Sequence, residues 1–228
     1  MKHSHQPAGR GTRQSAGSRG LKPSGPRAPA PADRRVVAGI QAELSRVIRY
    51  DDESIVADRW VRQRYDCGCF ASLAPARRAT VETAWHEAGH AVAALAIGAR
   101  FSSASIQHGH ASEGRVHRVT GTGPDSFIID AAGQIGQRLR DWTMLEHDDE
   151  LRAWLPTWQR DGGDARRFRR ALRGADEVAA WRRSEAVLTP RRLQIRQVAR
   201  ALLVYPRHLR YDVISALAKA GWPAKAPP

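Results

Sequence analysis

The chain has 228 residues, of which 42% are hydrophobic, and it carries a formal net charge of +14. That length supports one or two domains with a real apolar core. No apolar run approaches the roughly 18 residues of a membrane-spanning helix, and no apolar stretch follows the basic N-terminus. We therefore expect no integral membrane segment and no secretory signal, and we predict a cytoplasmic location.

Half of the excess positive charge lies near the N-terminus. Residues 1–35 hold eight Lys or Arg and one Asp, which is +7. Residues 1–32 contain almost no large apolar side chain, so they cannot bury enough surface to offset the entropy of ordering. We predict a disordered basic tail here, with nucleic acid as a partner only through this tail.

An N-terminal helical extension is predicted over residues 33–74. Apolar side chains recur at helical spacing between residues 33 and 50, and a short second helix is expected over 51–62. Cys67 and Cys69 follow, separated by one glycine, and no second cysteine pair exists to complete a four-thiolate metal site. We interpret them as reduced thiols in a turn.

The strongest helix pattern covers residues 80–97. Thr80 is a candidate N-cap, Gly98 suits the C-terminal end, and the Ala-rich interior allows close packing of a second backbone. Short β-like segments over residues 100–107 and 115–119 predict a hairpin. The loop between them contains His108 and His110, which we interpret as solvated side chains rather than metal ligands.

The rest of the chain is predicted to be helical. Further helices are expected, in chain order, over residues 125–142, from Asp164 to Gly174, from there to about residue 187, over 189–204 and over 211–220. Asp164 is a good N-cap, and Thr189 with Pro190 is a typical helix start. Four tryptophans have the spacing of core or half-buried helix residues, namely Trp142, Trp154, Trp158 and Trp181. The arginines between residues 166 and 173 are interpreted as a solvated face, with contact to a peptide carboxylate or to nucleic acid as the alternative.

The chemistry is concentrated in the sequence His86-Glu87-Ala88-Gly89-His90. Two histidines four residues apart lie on one face of a helix, one turn apart, so both imidazoles can reach one zinc ion. Glu87 can then reach a water beside the zinc and act as a general base. The bare pattern also arises by chance, but its position inside a buried-looking helix favours a metal site. We expect Zn²⁺ as the cofactor.

The third ligand is less clear from spacing alone, and no third histidine follows closely after His90. Glu113 is one acidic candidate, although it lies in a glycine-flanked loop. A structural zinc site normally has four protein ligands and needs no base, so the presence of Glu87 favours an enzyme. A zinc hydrolase with a substrate other than a peptide remains an alternative at this point.

Three segments resemble the peptidase domain of the FtsH-type AAA metalloproteases, which are ATP-dependent. Residues 84–94 (AWHEAGHAVAA) resemble the zinc helix of that family. Residues 130–139 (DAAGQIGQRL) resemble a later helix with a Leu-Ala-Gly-Arg-Ala-Ala-like run, and residues 162–168 (GGDARRF) resemble its Gly-x-x-Asp-Leu segment. The resemblance covers about residues 75–222, as a mainly α, helical zincin-type metallopeptidase domain with a small β-hairpin.

The resemblance also implies roles for single residues. His86, His90 and Asp164 would be the zinc ligands, and Glu87 would be the base. Asp164 could instead be a plain N-cap, in which case the ligand would come from Asp161, His147, Asp148 or Asp149. The segment over residues 102–107 would be the edge strand that binds substrate, with Ser105 and Ile106 in contact with the peptide.

The sequence contains no GxxxxGK[ST] phosphate loop, so the resemblance implies a stand-alone peptidase domain without the family's ATPase. We expect a zinc endopeptidase that hydrolyses unfolded or accessible proteins, with a separate ATPase or adaptor as a candidate partner. The family assembles as hexamers, which leaves a homo-oligomer open. The alternative is a non-catalytic zinc-binding regulatory domain that contacts protein or nucleic acid.

Overall fold

The computed structural model describes residues 35, 37–40, 42, 73–106, 114–158 and 162–220. The first six are helical, as predicted for residues 33–50, and Ile40 is buried in the core. From residue 73 the elements in chain order are α1 (Leu73–Ala96), β1 (Ser103–Ser105), β2 (Arg115–His117), α2 (Ser126–Asp141), α3 (Asp148–Trp158), α4 (Gly163–Leu172), α5 (Glu177–Leu188), α6 (Arg192–Val204), β3 (Leu209–Arg210) and α7 (Tyr211–Ala220). The predicted fold class, mainly α with a small β element, is confirmed.

The central helix α1 begins earlier than predicted. It starts at Leu73, so Thr80 lies inside the helix and is buried rather than acting as the N-cap. Pro75 lies within the first turn, where a proline is tolerated, and good helix formers follow it. The C-terminal end agrees with the prediction, because Gly98 has a φ of +74° and its N–H bonds to the carbonyl of Leu95.

Helices α1 and α2 cross at very short distance because small residues line both. A Cβ at Gly89 would lie 2.2 Å from the carbonyl oxygen of Ala132, and a Cβ at Gly136 would lie 2.5 Å from that of Trp85. Ile128, Ile135 and Leu139 are fully or almost fully buried along α2, as the helical spacing predicts. This crossing fixes the helix that carries His86 and His90 against α2.

The small sheet has the order β2-β1-β3, with both strand pairs antiparallel. The predicted hairpin pairing is confirmed, with Ser103 opposite His117 and Ser105 opposite Arg115. The prediction that residues 102–107 form an edge strand is wrong. β1 is the central strand because the two-residue strand β3, which has too short a pattern to be recognised in the sequence, pairs with its other side.

The C-terminal helices pack over an aromatic cluster. Trp158, Phe168 and Trp181 are buried, with Trp154 stacked on Trp158 at a ring-centroid distance of 5.8 Å. The core prediction is wrong for Trp142, which is 66% exposed and follows α2 in a left-handed conformation. The helices predicted over residues 189–204 and 211–220 are confirmed as α6 and α7, with a 3-10 turn over Thr189–Arg191 before α6.

Several predictions fall outside the described residues. These are the basic tail 1–32, the short helix over 51–62, and the side chains Cys67, Cys69, His108, His110, Glu113 and Asp161. The domain boundaries at residues 32, 74 and 222 also stay predictions. Among the helices in the described ranges, none combines the length and the apolarity needed to cross a bilayer.

Candidate metal centre

Three side chains from two distant segments meet at one point. His86 and His90 lie one turn apart on α1, and Asp164 comes from the first turn of α4. The Nε2 atom of His86 lies 2.8 Å from Oδ2 of Asp164, and Nε2 of His90 lies 3.1 Å from the same oxygen. The two Nε2 atoms are 3.0 Å apart. The two imidazoles and the carboxylate that the resemblance implies as ligands therefore lie together at one point.

Asp164 is not the N-cap of its helix. Gly162 has the extended backbone of the N-cap position, and Asp164 is the second residue of α4. Its side chain points at the two histidines rather than back at the backbone N–H groups of its own helix. The alternative prediction, that Asp164 is a plain N-cap, is therefore wrong. The carboxylate contacts the two histidines instead.

The ring of His90 is oriented by the backbone of α2. Its Nδ1 lies 2.6 Å from the carbonyl oxygen of Ile129 and donates to it, so Nε2 presents a lone pair to the centre in the neutral ring. Acceptor atoms that converge on one point need a cation or a proton between them. Ligand atoms of a tetrahedral zinc ion are separated by about 3.3 Å, given zinc–ligand distances of about 2.0–2.1 Å. The donor types suit a zinc ion, and the observed separations of 2.8, 3.0 and 3.1 Å are somewhat shorter than this spacing.

The electrostatics of the metal-free centre favour a positive charge among these side chains. Burial by itself lowers the pKa of His90, but the charge of Asp164, its hydrogen bond and the charge of Glu87 raise it to about 9. Burial raises the pKa of Asp164, yet the charge of His90 and hydrogen bonds from both histidines hold it well below 3.8. A proton at His90 thus occupies the place that a divalent ion would take.

Glu87 is a buried carboxylate beside these ligands. It is 5% exposed, and its Oε2 has no hydrogen-bond partner among the described residues. Burial raises the pKa of Glu87 above 4.5, while the charges of His90 and His86 lower it to a lesser extent. A buried carboxylate oxygen without a hydrogen-bond partner among the described residues calls for an explanation, and perturbed acids of this kind are common at functional sites.

Two glycines make room for these side chains, and sequence reasoning gave neither of them a role in the site. A Cβ at Gly133 would lie 2.4 Å from Cε1 and Nε2 of His86. A Cβ at Gly114 would lie 2.2 Å from Cγ of Glu87. Gly133 belongs to the segment 130–139 that resembles a helix of the FtsH-type peptidases, and this resemblance is the signal that the sequence offers for it. Any larger residue at these positions would displace a functional group.

The centre opens into a cleft of about 870 Å³. Its walls are formed by α1, α2, the start of α4, the strand β2 and the turn after β2. Residues lining the cleft beside the three ligands and Glu87 include Thr83, Gly114, Arg115, Val116, Val119, Asp130, Gln134, Gln137 and Arg167. The cleft is large enough for several residues of an extended peptide.

The predicted substrate contacts are not in this cleft. Ser105 and Ile106 are almost completely buried and do not line it. The N–H of Ile106 already donates to the carbonyl of Pro206, 2.9 Å away. Neither residue can therefore receive a peptide in the described conformation, because β1 is the central strand.

The spare candidates for the third ligand also lie elsewhere. His147, Asp148 and Asp149 do not line the cleft, and Asp148 is paired with Arg182 at 2.9 Å. Sequence reasoning missed the pair Asp130 and Arg167 at the centre itself. Nε of Arg167 donates to Oδ1 of Asp130 at 3.0 Å, and its Nη2 donates to Oδ1 of Asp164. Only the general arginine content of α4 could have drawn attention to Arg167.

Comparisons with protein-family models, with curated proteins and with solved structures found no match to this chain. The resemblance to FtsH-type peptidases therefore depends on the three sequence segments described above.

Proposed function

We propose that this protein is a zinc-dependent endopeptidase in which His86, His90 and Asp164 hold the metal and Glu87 is the general base. The observation that carries the proposal is the convergence of Asp164 on His90 and His86, 74 and 78 residues away in the chain. Beside them lies a buried carboxylate whose Oε2 has no hydrogen-bond partner among the described residues. A site that only stabilises the fold would have no use for such a carboxylate.

The chain's own groups divide the chemistry between them. Bound zinc supplies the Lewis acidity that acidifies a water and polarises a carbonyl. Glu87 accepts the proton of the attacking water at Oε2 and later delivers it to the leaving amine nitrogen. Burial raises the pKa of Glu87 above its usual range, which favours the protonated form that this role requires. Gly114 leaves the space in which this carboxylate sits.

Among the described strands β2 lies at one edge of the sheet, and its outer edge is the place where a peptide main chain could pair. The carbonyl of His117 accepts from the N–H of Ser102, so the backbone groups of His117 face β1. Because these directions alternate along a strand, the N–H and C=O of Val116 face the opposite edge, which pairs with no strand in the described part of the chain. Val116 lines the cleft beside the centre. We infer that an extended, unfolded substrate pairs with β2.

The test compares the zinc-loaded full chain with Glu87→Gln in cleavage of unfolded casein, with zinc content measured in the same samples. Loss of the base is expected to slow cleavage by about 10²- to 10⁴-fold while zinc stays bound. Glu82→Gln is the matched control, since Glu82 is on the same helix and does not line the cleft.

Two outcomes would contradict the proposal. Casein cleavage that survives in Glu87→Gln would remove Glu87 from the role of base. A wild-type chain that binds zinc firmly and cleaves neither casein nor short unfolded peptides would instead support the alternative, a non-catalytic zinc-binding domain.

A further inference from the structure

The two oxygens of the Asp164 carboxylate have different partners. Oδ2 faces the Nε2 atoms of His86 and His90, at 2.8 and 3.1 Å. Oδ1 accepts a hydrogen bond from Nη2 of Arg167, one helical turn further along α4. The carboxylate is thus held with one oxygen toward the centre and the other toward a guanidinium.

Arg167 is itself held from the opposite side of the cleft. Its Nε donates to Oδ1 of Asp130, 3.0 Å away on α2. The Asp130 side chain is only 14% exposed, although that of Arg167 is 57% exposed. A planar guanidinium can contact two carboxylates in fixed directions at once, which an ammonium group cannot do.

Adjacent residues of α2 therefore support two different ligands. The carbonyl of Ile129 accepts from His90, and the carboxylate of Asp130 fixes Arg167, which in turn contacts Asp164. Gly163 has no side chain to interfere, since a Cβ there would lie 3.2 Å from Nη1 of Arg167. Through these contacts, α2 orients a ligand from α1 and a ligand from α4.

We propose that Arg167, anchored by Asp130, is a positioning residue that fixes Asp164 to offer a single oxygen to the metal. The inference rests on the proposed zinc centre, but it concerns affinity and geometry rather than cleavage. Partners of metal ligands in the surrounding shell typically change metal affinity by about 10- to 100-fold when they are mutated. The same range is expected here.

The test measures zinc affinity of the full chain by competition with a chromophoric chelator. Arg167→Gln and Asp130→Asn are each expected to weaken zinc binding by about 10- to 100-fold. The double variant should bind zinc about as well as the single variant with the lower affinity, because both changes break the same chain of contacts. Arg166→Gln is the matched control, since Arg166 is exposed on the same helix and does not line the cleft.

Arg167→Lys separates positioning from charge. A lysine keeps the positive charge but cannot hold both carboxylates in fixed directions. We expect it to lose affinity nearly as much as Arg167→Gln, and the visible absorption of the cobalt-substituted protein should change in both variants. Wild-type affinity and an unchanged cobalt spectrum in Arg167→Lys would overturn the positioning role. If Arg167→Gln fails to fold, this lysine variant and Asp130→Asn carry the test.

The outcomes also distinguish this inference from the proposed function. A wild-type chain that binds no zinc would overturn both. A wild-type chain that binds zinc, while Arg167→Gln and Asp130→Asn bind it equally tightly, would overturn only the positioning role. Zinc binding that weakens in these variants, in a chain without casein cleavage, would support the positioning role and contradict the peptidase.

Discussion

At the scale of single residues, the centre depends on two glycines as much as on the side chains that carry its chemistry. Gly133 faces the ring of His86 so closely that no Cβ fits between them, and Gly114 stands in the same relation to Glu87. Close packing of protein interiors leaves no slack to absorb such a collision. The ligand geometry is therefore encoded partly at positions that carry no chemistry of their own.

This leads to a prediction for Gly133→Ala. The added methyl group would lie 2.4 Å from Nε2 of His86, so the ring must move and zinc affinity should fall at least about 10-fold. Isothermal titration with zinc measures the effect. Gly39→Ala is the control, since no atom lies within 4 Å of a Cβ at that position. An unchanged affinity in Gly133→Ala would show that His86 does not need its observed place.

At the scale of elements, the order of the strands decides where a substrate can bind. The alternation of residues 100–107 and 115–119 predicts a hairpin, and the register between β1 and β2 confirms it. The alternation does not predict which strand lies at the edge of the sheet. The edge depends on β3, whose two residues lie 104 positions or more beyond Ser105 in the chain. The binding edge that we propose is accordingly on β2 and not at Ser105 and Ile106.

Val116→Pro tests this assignment. Proline removes the outward N–H of Val116, while edge strands tolerate proline where the N–H is not part of the ladder. One main-chain hydrogen bond contributes about 0.5–1.5 kcal/mol, so KM for peptide cleavage should rise about 2- to 10-fold with zinc affinity unchanged. Val116→Ala, which keeps the N–H, is the control. An unaltered KM in Val116→Pro would place the peptide elsewhere.

Helix positions were easier to predict than the contacts between helices. Apolar spacing and the Thr189-Pro190 start are local signals, and α2, α6 and α7 agree with them closely. The contact of Arg167 with Asp130 joins residues 37 positions apart and has no local signature. Thr80 has the residue type of an N-cap, but Pro75, which lies in the first turn of α1, is itself a local signal of an earlier helix start.

At the scale of the whole molecule, the centre ties folding to pH. The pKa of His90 rises from 6.5 to about 9 in the metal-free fold, so its protonated form stabilises the fold fully below about pH 6.5. That contribution is lost as the pH rises through about 9. Burial also raises the pKa of Glu87, so its protonated form stabilises the fold, and this contribution declines as the pH rises above 4.5. The depressed pKa of Asp164 matters only in acid, where stability is lost as the pH falls below 3.8.

The zinc-free protein should therefore have a lower free energy of unfolding at about pH 9 than at about pH 6.5. Urea denaturation of the chelator-treated chain measures this decline, and His90→Gln should show a smaller one. The increase in stability caused by zinc should grow over the same rise in pH. The reason is that a smaller fraction of the chains then carries a proton on His90 that zinc must displace. A free energy that increases across this interval would contradict the assigned pairing of His90 with Asp164.

The most direct measurement is the zinc content and affinity of the purified chain, compared with Asp164→Asn. We predict one zinc ion per wild-type chain, held tightly against a competing chelator. Asp164→Asn, which keeps the size of the side chain but removes its charge, should lose that tight binding. A wild-type chain that takes up no zinc, or an Asp164→Asn chain that retains it with equal affinity, would contradict a centre built from His86, His90 and Asp164.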